Sequence, residues 1–259
     1  MSVLVLASAS GAPGVTTTAL GLALSWPREV VLVDADRSAS HAVLAGYLAG
    51  QSAAEGGVHS LLQAHRERRP LVPALLAAGR PLPVPAASGA EATAPRFVSG
   101  FTHLGSIDLY EGVWPGLVEA VRGEPFDLIV DAGRTGHHGL PAGLVAEADA
   151  VALVCRSNLV SLAGLRLHLG PLLEAGPPGR VGLILVGPGR PYAAKEVADQ
   201  FGVPVMAAVG WDPASAAELS EGAPLGRGWM RSGFRRSLGQ AAQSLADAMG
   251  VARPAEVAS

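Results

Sequence analysis

The stretch Ser10-Gly11-Ala12-Pro13-Gly14-Val15-Thr16-Thr17-Thr18 follows a short apolar run and precedes a helix-forming segment. A glycine-bounded loop in that position aims backbone N–H groups and the positive end of a helix at one spot, a geometry that cradles phosphate. Ser10, Gly11, Ala12, Pro13, Gly14, Val15, Thr16 and Thr17 are therefore the candidate nucleotide-binding residues, and Thr16 or Thr17 is the candidate hydroxyl ligand for Mg²⁺. The general phosphate-loop pattern is G-x-x-x-x-G-K-[ST], and here Val15 holds the lysine position. A tight strand-to-helix turn without a ligand would read the same from the loop alone.

Two acidic segments give the loop its context. Asp34-Ala35-Asp36 closes a second apolar run, and side chains two residues apart on an extended chain share a face. Phe126-Asp127-Leu128-Ile129-Val130-Asp131-Ala132-Gly133 places an acid at the end of another run, with a glycine two residues on. Strand ends are where doubly wound sheets bind ligands. Loop and acids in this order are more specific than any one of them, although Asp36, followed by Ser38 and Ser40, also suits a helix cap.

Other reactive side chains read as structural. His137 and His138 have no cysteine or third histidine nearby, and adjacent residues of an extended chain point apart, so a solvated loop is expected. Cys155, the single cysteine, reads as a small core residue and excludes an internal disulfide. Arg231, Arg235 and Arg236 suit a solvated face better than a DNA contact, given the chain's negative balance. Lys195 is the only lysine, and it falls in a helix expected to be exposed, far along the chain from the loop.

The elements that must position the loop and acids are visible in the apolar pattern. Continuous apolar runs at Val3 to Ala7, Val30 to Val33, Leu128 to Val130, Ala150 to Val154, Val181 to Val186 and Val205 to Val209 predict strands buried on both faces. Helix-period segments between them cover Thr16 to Leu24, Trp114 to Arg122, Leu159 to Leu173, Ala193 to Phe201 and Ser232 to Met249. The pattern predicts an α/β fold of three layers, with a doubly wound, mostly parallel sheet and helices on both faces. One domain over 1–250 is expected, with a flexible tail at 251–259. The prolines between Pro70 and Pro95 predict a surface connection over 70–96 without a regular element, preceded by a helix at Val58 to Arg66.

Composition narrows the function classes. A chain of 259 residues with 49% hydrophobic residues has material for a large core, which excludes global disorder. The net charge of -3 demands no polyanionic partner. No apolar stretch reaches the roughly 18 residues of a membrane helix, and the N-terminal run lacks the basic flank of a signal peptide, so a soluble, cytoplasmic protein is expected.

On these residues the chain resembles the MinD/ParA family of SIMIBI-class P-loop ATPases, which includes the CpaE/TadZ proteins of pilus assembly. The family loop reads K-G-G-x-G-K-T-T; Gly11, Gly14, Thr16 and Thr17 match it, Ser10 stands in place of the signature lysine, and Val15 replaces the phosphate lysine. The run from Gly202-Val203-Pro204-Val205 through Trp211-Asp212 to Glu221-Gly222 is similar to the family's end, although Gly210 and Trp211 alter its middle. The resemblance implies Asp34, Asp131 and Thr16 on the Mg²⁺ side, Asp36 as the acid that positions an attacking water, and Asp131 with Gly133 as the second switch. Gly187-Pro188 stands where the family has an adenine-reading Asn. ATP and Mg²⁺ as cofactors, a homodimer, and a protein partner in a pilus, secretion, division or partition machine are implied as well. With both lysines absent, the expectation is a degenerate nucleotide site with weak or no hydrolysis in a spatial regulator or assembly factor, peripheral to the membrane through a partner. The alternatives are a working ATPase cycling between monomer and dimer, with an arginine replacing the lysines in space, and a DNA-binding partition protein.

Overall fold

A computed structural model describes residues 1–9, 11–51, 56–84, 94–222 and 225–251. Ser10 of the loop and residues 252–259 of the expected tail lie outside the described residues. The strands are β1 (Val3–Ser8), β2 (Val30–Asp34), β3 (Arg80–Pro81), β4 (Arg96–Val98), β5 (Asp127–Arg134), β6 (Ala150–Arg156), β7 (Val181–Val186) and β8 (Val205–Val209). The α-helices are α1 (Val15–Ala23), α2 (Ala42–Ala45), α3 (Gly57–Arg66), α4 (Leu71–Ala78), α5 (Val113–Val121), α6 (Ala142–Glu147), α7 (Leu159–Ala175), α8 (Ala194–Phe201), α9 (Pro213–Ser220), α10 (Arg227–Arg231) and α11 (Gly233–Val251), with a 3-10 helix at Leu104–Tyr110.

The strands form one sheet in the order β3-β4-β2-β5-β1-β6-β7-β8. All pairings are parallel except β3 with β4. Alternation along β1 shows how both faces are filled: Val3, Val5 and Ala7 join one apolar cluster, and Leu4 and Leu6 join the other. Helices α3 to α8 pack into the first cluster through residues such as Leu61, Leu75, Trp114, Leu144, Leu165 and Val197. Helices α1, α2, α9, α10 and α11 cover the second through Leu20, Val43, Leu219, Trp229 and Leu238. The result is the expected three-layer, doubly wound architecture. No helix among the described residues is long and apolar enough to cross a membrane.

The segment after Pro70 differs from the expectation. Helix α4 occupies Leu71–Ala78, and β3 follows it directly. Pro73 sits in the first turn of α4, where the backbone N–H it lacks would have no intrahelical partner. Leu71, Leu75 and Ala78 are buried, so packing on the sheet outweighs the proline signal. His137 and His138 also differ: both are exposed as expected, yet their rings lie 3.7 Å apart, because the segment turns and is not extended. Cys155 is buried in the core, with its thiol pushed up to about 12 by burial.

At the edge where the strands begin, the acids are paired. Asp127, 1% exposed, accepts hydrogen bonds from Ser2 N at 2.7 Å, Trp26 Nε1 at 2.8 Å and Arg28 Nε at 2.7 Å. Asp149 accepts from Val3 N at 2.8 Å and lies 3.5 Å from Arg180. These contacts tie the N-terminal strand to its neighbours. Asp127→Ala should leave buried donors without an acceptor and cost about 3–5 kcal/mol in denaturant unfolding, whereas Arg28→Ala, removing a half-exposed partner, should cost about 1 kcal/mol.

Candidate functional site

Because the main strands are parallel, the loops after β1, β2, β5, β6 and β8 emerge on one side of the sheet. The chain leaves β1 toward β2 on one flank, and β6 lies on the other, so the loop after β1 stands at the point where the strand order reverses. A cleft of about 590 Å³ opens there, lined by Gly11 to Thr18 together with Asp36, Gly133, Arg134, Arg156 and Trp211.

Gly11 and Gly14 hold φ of 67° and 97°, a region that side chains with a Cβ rarely adopt. Gly14 is the N-cap of α1, and no side chain caps that helix. The first turn holds no acid either. Helices α2 to α6 and α10 likewise lack a side-chain cap, whereas Asn158 caps α7 by accepting from Ser161 N at 2.9 Å and Asp212 caps α9 by accepting from Ser215 N at 3.1 Å. The N-terminal end of α1 is thus left open toward the cleft, where its dipole favours an anion. Val15, at the lysine position, is 9% exposed and belongs to the apolar cluster beneath the loop.

The three acids come together in layers. Asp34 and Asp131 are register partners on β2 and β5 and are buried, at 6% and 3% exposure. Only Asp36 lines the cleft. Asp34 Oδ1 accepts from Asp36 N at 3.0 Å, Asp36 Oδ1 accepts from Ser38 N at 2.8 Å, and Asp131 Oδ1 accepts from Gly133 N at 3.0 Å. Asp36 therefore shapes its own turn and also faces the cleft. The Thr16 hydroxyl lies close enough to Asp131 to favour its charged form, which brings the loop near β5.

Burial, reinforced by repulsion from Asp131 and partly offset by the hydrogen bond from Asp36 N, pushes Asp34 up to about 8. Burial also raises Asp131 to about 6, against the lowering effect of Thr16 and Gly133 N. None of the three acids has an ion pair among the described residues. Among the described residues no three acidic, histidine or cysteine side chains group as a metal site by themselves, so Thr16 with Asp131 and Asp36, and the deeper Asp34 once it loses its proton, could hold Mg²⁺ only together with oxygens that a ligand brings.

Two glycines fit the acids closely. A Cβ on Gly133, whose φ is 63°, would meet Asp36 Oδ1 at 2.0 Å, and one on Gly100 would meet the Asp34 carboxyl carbon at 2.7 Å. Gly100 was not singled out by the sequence, since it lies outside any motif. Arg134, Arg156 and Trp211 were missed as site residues as well. Their available signal was position: Arg134 and Arg156 are the last residues of β5 and β6, and Trp211 lies two residues beyond β8. Gly187 approaches Trp211, and its carbonyl accepts from Ser157 Oγ at 2.6 Å. Lys195 is exposed on α8 and pairs with Asp199 at 2.6 Å. The Arg235 guanidinium lies over Trp229, 5.8 Å from its centroid.

No protein-family model matches the sequence, and no curated protein matches it. Solved structures do share the fold. A ParA family ATPase from Chlorobium tepidum TLS superimposes with a TM-score of 0.71 at 17% identity, over 93% of this chain and 98% of that one. The septum site-determining protein MinD from Pyrococcus horikoshii OT3, complexed with Mg-ADP, gives 0.71 at 17% identity over 97% and 98%. A putative plasmid partition protein from Borrelia burgdorferi B31, bound to AMPPNP, gives 0.61 at 12% identity over 95% and 98%. At these identities the likeness establishes a MinD/ParA-like fold.

The raised carboxyl of Asp34 yields a pH test. Its folded-state pKa lies above the ordinary carboxylate value, so the folded protein keeps a proton that the unfolded chain loses first. Metal-free stability should therefore fall as pH rises from about 4 to about 8, by an amount on the order of a few kcal/mol, and the loss should flatten in Asp34→Asn. Denaturant midpoints across that range check it.

Proposed function

We propose that this chain is a MinD/ParA-like protein with a degenerate nucleotide site, working as a spatial regulator or an assembly and localisation factor. The observation that carries this reading is the open N-terminal end of α1, wrapped by a loop with two positive-φ glycines and set beside three carboxylates at the reversal of strand order. Such a constellation suits a Mg²⁺-bound polyphosphate. The Mg-ADP and AMPPNP complexes of the fold's relatives point the same way. ATP with Mg²⁺ is the proposed ligand.

The same site argues for slow chemistry. Phosphoryl transfer depends on charge stabilisation, and Val15 offers none while Ser10 replaces the second lysine. Bound Mg²⁺ would supply a Lewis acid next to the phosphates. The chain's own residues would hold the phosphates through the loop N–H groups, orient the cation through Thr16 and the acids, and place the Asp36 carboxylate toward a water. The regulator would act on a pilus or secretion system of the CpaE/TadZ kind, or on a division or partition machine. It would do so in the cytoplasm, peripheral to the membrane through its partner, and as a homodimer joined across the loop face.

A second reading, a hydrolysing ATPase that cycles between monomer and dimer, gains support from Arg134 and Arg156 at the cleft, either of which could supply charge from outside the loop. Phosphate release under saturating Mg-ATP separates the two readings. Retention on DNA that falls with salt would instead favour a partition protein, acting through Arg231, Arg235 and Arg236.

Mg-ATP should bind weakly, with a Kd on the order of 0.1–1 mM, and excess chelator should weaken it by more than about tenfold. Tight calorimetric binding in chelator would contradict the site. Val15→Lys should raise affinity about tenfold, because a lysine stem can follow the apolar floor and lift its ammonium into the cleft, while phosphate release stays near background. Light scattering should find a dimer that depends little on ATP; a monomer that dimerises only with ATP would favour the second reading.

A further inference from the structure

We propose that Arg156, presented by β6, is the principal phosphate-binding cation of the cleft, compensating polyphosphate charge from across the sheet in place of the loop lysine. This inference rests on the nucleotide reading of the cleft and deepens it. Arg156 is the last residue of β6, which pairs directly with β1, and its Nη2 donates to the carbonyl of Ala12 in the loop at 2.8 Å. Its guanidinium lies over the Trp211 ring, 4.8 Å from the centroid, and its backbone N donates to Ser161 Oγ at 3.0 Å. Loop, indole and helix together fix the strand end and the planar group it carries.

What this guanidinium lacks is an anion. Among the described residues no carboxylate lies within 4.0 Å of it, and its Nε is buried without a hydrogen-bond partner. The arginines at the opposite edge of the sheet are, by contrast, set against buried acids. Arg156 also sits beside the uncapped, acid-free N-terminal end of α1, and the Arg190 guanidinium lies 5.8 Å from the same indole centroid. The cleft also carries Asp36, Asp212 and Glu221, yet none of them lies within ion-pair distance of Arg156, so its charge and the positive end of α1 are left for an anion to join. The planar fork of an arginine, with donors left over after the Ala12 contact, suits bidentate contact with phosphate oxygens.

Trp211 supplies the readout. It is 37% exposed, whereas Trp26, Trp114 and Trp229 are at most 9% exposed, so acrylamide-quenchable fluorescence reports mainly on the cleft. Titrations of tripolyphosphate and of Mg-ATP would compare the wild type with Arg156→Gln, Arg156→Lys and, as a control on the exposed face of α7, Arg166→Gln. Arg156→Gln should weaken both ligands about 10- to 100-fold and shallow the salt dependence, with Arg166→Gln unchanged. Arg156→Lys, which keeps charge but not the fork, should lose about 3- to 10-fold. Should Arg156→Gln not fold, the lysine variant decides alone: that loss supports the proposal, and wild-type affinity overturns it. Unchanged binding of both ligands by a folded Arg156→Gln overturns the role of Arg156 and leaves the nucleotide reading standing. Loss of Mg-ATP with tripolyphosphate retained overturns it too, because the arginine would then serve only the indole platform. A wild type that binds neither ligand at millimolar concentration overturns both readings.

Discussion

The contact on which the cleft depends is the pairing of β1 with β5 on one side and β6 on the other. These three strands are parallel and apolar through their middles, and the only buried acids among them, Asp127 and Asp131, sit at the start and toward the end of β5. Their polar chemistry is pushed to the ends, and parallel direction brings those ends to one edge. The loop after β1, the Asp131 to Arg134 segment and Arg156 then stand side by side, though well over a hundred residues separate the first from the last. A register slip of one residue would turn every side chain of a strand to the opposite face, and the two apolar clusters forbid it.

The two edges of the sheet use the same residue types in opposite ways. Where the strands begin, Asp127 and Asp149 are matched with arginines and backbone donors. Where they end, Asp34, Asp36 and Asp131 crowd one another, while among the described residues no acid lies inside ion-pair range of Arg156. Paired charge holds the sheet together at one edge, and at the other the acids and Arg156 stand apart from one another. The buried carboxyls raised by desolvation are the local cost of that arrangement.

Much of the fold was legible from sequence, because strands buried on both faces leave continuous apolar runs. All six strands read that way recur, and the helix expected at Ser232 to Met249 is α11, which buries Leu238, Ala242, Leu245 and Met249. The misses have physical reasons. Helix α4 was hidden by Pro73, harmless in a first turn, and β3 and β4 are too short to leave a pattern. At the site, the loop and acids were legible because their spacing is local. Arg156, Trp211 and Gly100 were not, because their meaning arises only when β6, β8 and the segment after β4 are laid beside β1 and β2. Val15 shows a further limit: its place in the loop is a matter of spacing, but its burial in the apolar cluster is a matter of packing.

The close fit of Gly133 to Asp36 and of Gly100 to Asp34 has a consequence for how this protein can change over time. Each carboxylate occupies the volume that a side chain on its glycine would need. Neither partner of a pair can vary freely while the other stays fixed, since any residue larger than glycine must first displace an acid. The four positions should therefore drift as two linked couples, and a lineage that abandons Asp34 would gain freedom at Gly100, whereas Gly133 stays held by its φ of 63°. The record of whether the cleft is still in use would then be written in the glycines as much as in the acids they face.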